Sequence, residues 1–402
     1  MKRRLLSVAA ARARILKGVP LLRAETIPAS VALGRTLRKR LKAARPSPAT
    51  ATSAMDGYAV RSAELRAIPF RLKVVGESAA GKPFKGPVKK GQTVRIFTGA
   101  PVPPGADTVV IQENTESSGR YVKILKRANR GANIRKRGMD YRKGEILAAR
   151  GQLIGPRQLG LLTAANIPRL LVAKRPKVAL IATGNELSPA GKRLRHAQIV
   201  DSNTPMLKAV LEANGAEVLT FGIVRDAPRA IRNVLKRAKK ADLIITMGGA
   251  SVGKYDFVQR AIRAEGGRLD FWKVAVKPGK PLMFGRLGRA RIIGLPGNPA
   301  STFVCAHLFA LPALFKMIGR TALLPPSIPA TAGRPLPKNG ERESYLFATL
   351  SPSPAGWIAV AFAVQDSSHL KSLARGECLI RRPPFAPALP KGGNVLVYPL
   401  FS

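Results

Sequence analysis

Apolar positions along the 402-residue chain change their period several times. Leu5, Val8, Ala9 and Ile15 share one face at helical spacing. Residues 1–45 accordingly read as helical, ending in the basic run 36–45, and Pro46-Ser47-Pro48 marks a break. From about 70 to 125 the chain switches to short apolar runs, 72–75, 93–97, 108–112 and 121–125, divided by Gly and Pro. That pattern predicts a β-rich unit. Residues 138–173 turn helical again around 157–165, and Lys174-Arg175-Pro176 punctuates the next change.

Beyond this point strands and helices alternate. Strands are predicted over 178–183, 217–223, 243–247, 269–276 and 292–295, and helices over 205–214, 229–239, 257–264 and from Ala300. Such alternation is the signature of a parallel sheet covered on both faces. Asp201-Ser202-Asn203 supplies N-cap chemistry before one helix and Gly215 follows its end, while Asp226 precedes the next. A Pro-rich linker over 324–329 leads to short apolar runs at 345–350, 357–364, 378–380 and 394–398, read as a small β domain. The resulting division is a discontinuous helical domain (1–45 with 138–173), a β-rich domain (46–137), an α/β domain (174–322) and a C-terminal β domain (323–402).

Composition narrows the classes. No uninterrupted apolar run approaches the roughly 20 residues of a membrane helix, so no membrane is expected. Arg12 and Arg14 interrupt the basic N-terminus, which favours a domain-opening helix over a signal peptide and predicts a cytoplasmic protein. Cys305 and Cys378 lie far apart and only three histidines exist, so neither a disulfide framework nor a zinc site is supported. The net charge of +47 predicts non-specific binding of polyanions, nucleic acid included, as a side effect. With only 22 acids in the chain, an acid kept inside a Gly-rich loop is poorly explained as a solvated surface charge.

In an open parallel sheet, ligands bind outside the carboxyl ends of the strands, and four loops of the α/β segment there are unusual. Thr183-Gly184-Asn185-Glu186-Leu187 places a carboxylate at a strand end. Met247-Gly248-Gly249-Ala250-Ser251-Val252-Gly253, followed by Asp256, exposes glycine N–H groups able to cradle phosphate. It is neither a Walker loop nor a dinucleotide fingerprint. Taken as one strand, 269–276 puts Lys273 and Lys277 on the same face, with Lys280 past a Pro278-Gly279 turn, a crowding of ammonium groups that implies an anion. Pro296-Gly297-Asn298-Pro299-Ala300-Ser301 is a rigid turn opening a helix, suited to an oxyanion. Outside this segment, Asp56 sits at a glycine-bounded turn, and two further rigid loops hold Thr98 and Asp140.

Together SAMDGYA, FTGAPVPPGAD, NIRKRGMD, ATGNEL, QIVDSN, GGASVG with Asp256, FWKVAVKPGKP and GLPGNP run in order over nearly the whole chain. They resemble the molybdopterin molybdenumtransferase family, which comprises bacterial MoeA, the E domain of gephyrin and its plant counterpart. The resemblance implies an α/β multidomain fold: a central MoaB/MogA-like doubly wound α/β domain, a β-rich domain, a helical domain and a C-terminal β-barrel-like domain. It implies a homodimer that inserts molybdenum from molybdate into adenylylated molybdopterin, with magnesium-dependent release of AMP in molybdenum cofactor biosynthesis. By motif position, Asp56, Thr98, Asp140, Glu186, Asp226, Asp256, Lys273, Lys277, Pro296, Pro299 and Ser368 fall where the family keeps functional residues. Asp56 would face the partner subunit's α/β domain.

The chemistry of the residues agrees with that reaction. Cleaving a phosphoanhydride needs charge neutralised on the bridging and leaving oxygens, which magnesium (Mg2+) held by Glu186 and Asp256 provides. Asp56 and Asp226 join them as reaction residues. Molybdate is a tetrahedral dianion, and Lys277 and Lys280 with Ser251 and Ser301 form a cage for it. Gly248 and Gly249 join Thr98, Asp140, Lys273, Pro296, Pro299 and Ser368 on the substrate. Two departures stand out. Pro48-Ala49-Thr50-Ala51-Thr52 replaces an acidic and aromatic segment before SAMDGYA, and Phe347 stands where the family tends to have an arginine that helps hold molybdate. Two alternatives remain open here: a molybdopterin-binding adenylyltransferase-like activity, against which the extra β domains argue, and a non-catalytic polyanion-binding scaffold.

Overall fold

The computed structural model describes residues 5–248 and 257–400. The chain packs as two compact units: one runs to Arg38, takes in Arg150–Gly155 and resumes at Arg169, and the other is Lys39–Ala149 with Pro156–Pro168.

The first unit is built on a six-stranded sheet. Its strands are β1 (Lys177–Thr183), β2 (Glu217–Val224), β3 (Leu243–Met247), β4 (Arg268–Trp272), β5 (Met283–Leu287) and β6 (Ala290–Leu295). They lie in the order β2-β1-β3-β6-β5-β4. Pairing is parallel from β2 through β6, whereas β5 runs antiparallel to both its neighbours. The sheet is therefore mixed, and β5 escapes the sequence pattern because a short hairpin joins it to β6 with no helix between. Successive residues of a strand face opposite sides. Val178, Leu180, Leu243 and Ile245 pack with Leu207 and Leu211 of helix α1 (Asn203–Ala213). Ala179, Ile181 and Ile244 pack with Ile231 and Leu235 of α2 (Pro228–Ala238) and with Val258 and Ile262 of α3 (Phe257–Ala264). Both faces are thus covered, as a doubly wound domain requires.

Helix α4 (Pro299–Cys305) continues through a π-helical stretch, Ala306–Ala310, into Leu311–Ile318. By length and composition this run could cross a membrane, although Ser301, Thr302, His307 and Lys316 interrupt its apolar residues; 83% of its most apolar stretch is buried within the protein. It is a core helix, packed by Val304, Leu308, Phe309 and Leu314.

A second sheet of the same unit closes on itself. Glu343–Ser353, Gly356–Ala361, Ile328–Ala332, Asn394–Pro399 and Cys378–Arg382 pair in that order, and Glu343–Ser353 pairs back onto Cys378–Arg382. Val276–Lys277 adds in parallel at Glu343 and Ser344. The first barrel strand begins at Ile328, inside the segment expected to be a linker.

Two expectations fail locally. Among the described residues, the 1–45 segment is α-helical only over Val8–Gly18, where the Ser7 side chain accepts from the Ala10 N–H, with a short 3-10 turn at Ala29–Val31. Pro20 and Pro28 lack N–H groups and fall inside the run, and Ala24–Pro28 instead forms a strand paired with Arg169–Ala173. The predicted strand 269–276 stops at Trp272 because Lys273 takes a left-handed backbone (φ 74°), and the N–H of Val274 donates to the Lys280 carbonyl (3.0 Å). Lys273 and Lys277 consequently lie on different elements, and the shared-face argument does not hold.

The second unit carries a six-stranded sheet in the order Thr108–Ile111, Gly57–Val60, Gln92–Ile96, Phe70–Ser78, Tyr121–Ile124, Thr115–Ser118. All four β-runs expected between 70 and 125 are present, and Tyr58, Val60, Leu72, Val110 and Val122 form one core cluster. Its helix, Pro156–Ala164, matches the expected 157–165.

Candidate active site

The loops after β1, β2, β3 and β6 gather at the carboxyl end of the first sheet. Gly184 follows β1 (φ 156°), and a Cβ placed there would lie 2.6 Å from both carboxylate oxygens of Glu186. Glycine is what lets the Glu186 carboxylate fold back over the backbone. The neighbouring Asn185 side-chain oxygen accepts from the Asp226 N–H (3.1 Å), which brings the end of β2 against the end of β1.

This contact sets the electrostatics. Burial raises the Asp226 carboxyl above the ordinary carboxylate range, and the Glu186 charge raises it further, with the Asn185 hydrogen bond opposing both. Its Oδ1 is buried, with no hydrogen-bond partner among the described residues. A buried carboxylate oxygen without a donor, beside a second carboxylate, calls for a proton or a cation. Oxygen donors of this kind suit a hard divalent ion such as magnesium, which keeps several of its own waters. Among the described residues no three His, Cys, Asp or Glu side chains converge, so of those residues only these two carboxylates could hold a metal here. Asp256, paired with Glu186 as a metal ligand in the sequence reading, lies outside the described residues, as do Gly249 and Ser251.

Gly248 ends β3 in a left-handed conformation (φ 84°), and a Cβ there would meet the Thr183 carbonyl at 2.4 Å. A Cβ on Gly297 would lie 3.5 Å from the Gly248 Cα, so the loops after β3 and β6 approach backbone to backbone. The amide of Asn203 donates to the Gly297 carbonyl (2.6 Å). Asp201 fixes that asparagine by accepting from the N–H groups of Asn203 and Thr204 (3.1 Å each). Thr302 donates to the Pro296 carbonyl (2.6 Å), which ties the proline turn to α4, and Ser301 beside it is buried. Pro299 opens α4.

The loop 366–368 docks on the same turn. Asn298 donates to the Ser367 hydroxyl (2.7 Å) and the Ala300 N–H to the Ser367 carbonyl (3.0 Å). Ser368 donates to Asp366 through its hydroxyl (2.5 Å) and its N–H (2.8 Å), and these bonds hold the Asp366 carboxyl below the ordinary range. Asn203, Asn298 and Asp366 were absent from the candidate residues. As neutral or surface-type side chains they carry no spacing signal, and only the tertiary contacts reveal them.

The lysines come from three places. Lys273 lies over the Trp272 ring (4.0 Å) in its left-handed position. Lys277, exposed, precedes a cis peptide to Pro278. Lys280 is also exposed, and its carbonyl accepts from Val274 and Leu282 (3.0 Å each). A Cβ on Gly279 would fall 2.2 Å from the Cys305 sulfur, so this lysine loop presses directly on α4. Phe347 points away into the core, 3% exposed, with its ring 6.3 Å from that of Phe303. Arg342 instead reaches the Val276 carbonyl (3.4 Å), next to Lys277.

In the second unit, Thr98 donates to one Asp56 oxygen through its N–H and its hydroxyl. Asp140 is exposed, and its N–H donates to the Ser47 carbonyl (2.9 Å).

Models of known families match along the chain: the MoeA N-terminal region (domain I and II) at residues 6–166, a probable molybdopterin binding domain at 179–316, and the MoeA C-terminal region (domain IV) at 329–400. A molybdopterin molybdenumtransferase of Nostoc is 34% identical over 91% of this chain and 86% of its own length. The chain belongs to the molybdopterin molybdenumtransferase family. A Haemophilus influenzae relative of the same name is 36% identical over 83% of each chain. The crystal structure of a Pyrococcus horikoshii molybdopterin biosynthesis MoeA protein superposes with a TM-score of 0.83 at 28% identity, covering 99% of this chain and 100% of that one. The expected fold class, and the expectation of a transferase enzyme in molybdenum cofactor biosynthesis, stand.

Proposed function

We propose that this protein transfers molybdenum from molybdate to adenylylated molybdopterin with release of AMP, at the carboxyl end of the β2-β1-β3-β6 sheet. The observation that carries the reading is the unpartnered, buried Asp226 oxygen beside Glu186. These carboxylates would hold a magnesium ion, which when bound neutralises charge on the phosphoanhydride oxygens. Asp256, outside the described residues, is the further candidate ligand.

The remaining roles follow from donor chemistry. Gly248 and the turn Pro296–Pro299 bring backbone close enough to line a flat pterin. Lys273, Lys277 and Lys280 supply fixed positive charge for phosphate and molybdate, with Ser301 and Ser368 as neutral donors. Arg342, beside Lys277, supplies the cation that Phe347 does not. Family membership supports a cytoplasmic homodimer of four-domain subunits, with 1–45 joined to 138–173, in which Asp56, Thr98 and Asp140 complete the partner subunit's site.

The test is direct. Incubated with adenylylated molybdopterin and molybdate, the protein should release AMP and product only when a divalent cation is added. No AMP release with magnesium, manganese or calcium would sink the reading.

A further inference from the structure

A cavity of about 810 Å³ opens at the opposite end of the same sheet. Lys177 begins β1, Asp242 immediately precedes β3, Arg289 precedes β6, and Arg237 and Lys240 bracket the carboxyl end of α2; all line the cavity. These are amino ends of strands. Seven residues of β1, roughly 20 Å at ~3.3 Å per residue, separate the cavity from the loops described above.

Arg23, Lys174, Arg175, Arg237, Lys240 and Arg289 line the cavity and are exposed, and among the described residues none of them forms an ion pair. The single acid in the lining, Asp242, accepts from the Lys177 N–H (2.9 Å) and is committed to joining two strands. On the same helix and at its C-cap, Arg232 (2.9 Å), Lys236 (4.0 Å) and Lys239 (3.2 Å) converge on Glu265. The cavity is thus a place where several positive charges stand together without a counter-charge, which stabilises nothing in the protein by itself.

The walls are apolar. Leu22, Leu219, Phe221, Ala238 and Ala241 line them, Leu219 is 41% exposed, and the Arg237 guanidinium lies 5.2 Å above the Phe221 ring. A ligand carrying only phosphate would leave this surface unused. Phosphates beside flat, apolar bodies match it, because bases stack on guanidinium and aromatic faces while the backbone tracks a basic groove.

We propose that this cavity binds single-stranded nucleic acid, seating roughly one or two nucleotide units with phosphates on the basic rim and a base against Leu219 and the Arg237–Phe221 pair. The field of a chain with net charge +47 brings the strand to the cavity.

The experiment uses the full chain and fluorescein-labelled twelve-nucleotide oligo(U) and oligo(A), read by anisotropy over a salt series. A triple variant, R175E/R237E/K240E, should bind about tenfold or more weakly than the parent, and its log-affinity against log-salt slope should fall by about 2 units, ~0.7 per lost phosphate contact. A control with the same charge change on exposed residues of the other unit, R66E/K85E/K89E, should lose less than about threefold. Leu219→Ser should weaken oligo(A) more than it weakens inorganic polyphosphate. Equal loss in both triple variants would overturn the proposal in favour of diffuse charge. Equal sensitivity of polyphosphate and oligo(A) to Leu219→Ser would overturn the base-stacking part, and displacement of the oligonucleotide by AMP at matched nucleotide concentration would overturn the strand in favour of a free nucleotide. Melting curves check that the variants fold, and unchanged AMP release in R175E/R237E/K240E separates this site from the transferase site.

Discussion

Thr98 donates two hydrogen bonds to a single oxygen of Asp56, one from its N–H and one from its hydroxyl, each 2.7 Å long. They hold the Asp56 carboxyl below the ordinary carboxylate range, with the backbone donor the larger cause, then the hydroxyl, and Arg95 adding a small pull in the same direction. A depressed carboxyl contributes stability above its unfolded value and loses it as pH falls through the folded one. Thr98→Val removes the hydroxyl donor alone. The Asp56 carboxyl should then titrate at a higher pH in a carbon-13 NMR titration, and the acid limb of turnover should move the same way. An unmoved titration would show that the hydroxyl bond is not made in solution.

Gly184→Ala forces a Cβ into the space of the Glu186 carboxylate, which must rotate away. Misplacement of a reacting group by about 1 Å costs roughly 100-fold in rate. Turnover should therefore fall by that order, well beyond the modest drop in melting temperature that a side chain at a φ of 156° brings. Retention of full activity would show that Glu186 does not act in the folded-back position.

Asp226 works in the opposite sense to Asp56. Its raised carboxyl favours the folded state while protonated, and that contribution is lost as pH rises through the raised value. Without divalent cation, Asp226→Asn should be as stable as the parent or more so at neutral pH. Added magnesium should raise the parent's melting temperature, by the equivalent of about 2.7 kcal/mol at a hundred times Kd, and should leave the Asn variant almost unmoved. Equal magnesium shifts in both proteins would remove Asp226 from the metal.

Phe347→Arg is expected to harm the protein, although the family resemblance led to an arginine being expected there. The Phe347 side chain is packed against Phe303 within the core, and an unpaired buried charge costs about 3 kcal/mol or more. Urea unfolding should show that loss. Arg342→Ala, in contrast, should keep stability and weaken molybdate use, seen as a higher KM for molybdate.

Gly279→Ala places a Cβ onto the Cys305 sulfur and should destabilise by about 1–3 kcal/mol. Cys305→Ala in the same chain should recover part of that loss. The remainder reflects the backbone at Gly279, whose φ of 119° strains any side chain.

Much of this protein is determined by local pattern. Strands of alternating or continuous apolar residues, helices with Asp201 at their start and Gly215 past their end, and glycines where backbones cross all act over a few residues, so the sequence alone specifies them. The loops that carry Glu186, Gly248 and Pro296 were legible for the same reason, since each follows a recognisable strand at the end of the sheet where ligands collect, whereas Asp226 reads from spacing only as a residue before a helix. Other features depend on residues far apart in the chain. Pro20 and Pro28 turn an apparently helical segment into a strand only because Arg169–Ala173 is there to pair with it. Lys273 leaves the strand because Lys280 and Leu282 fold back on it, and Phe347 is core because Phe303 lies beneath it. The coupling of Asp226 to Glu186 arises because parallel pairing sets the ends of two strands side by side, a neighbourhood that linear spacing does not encode.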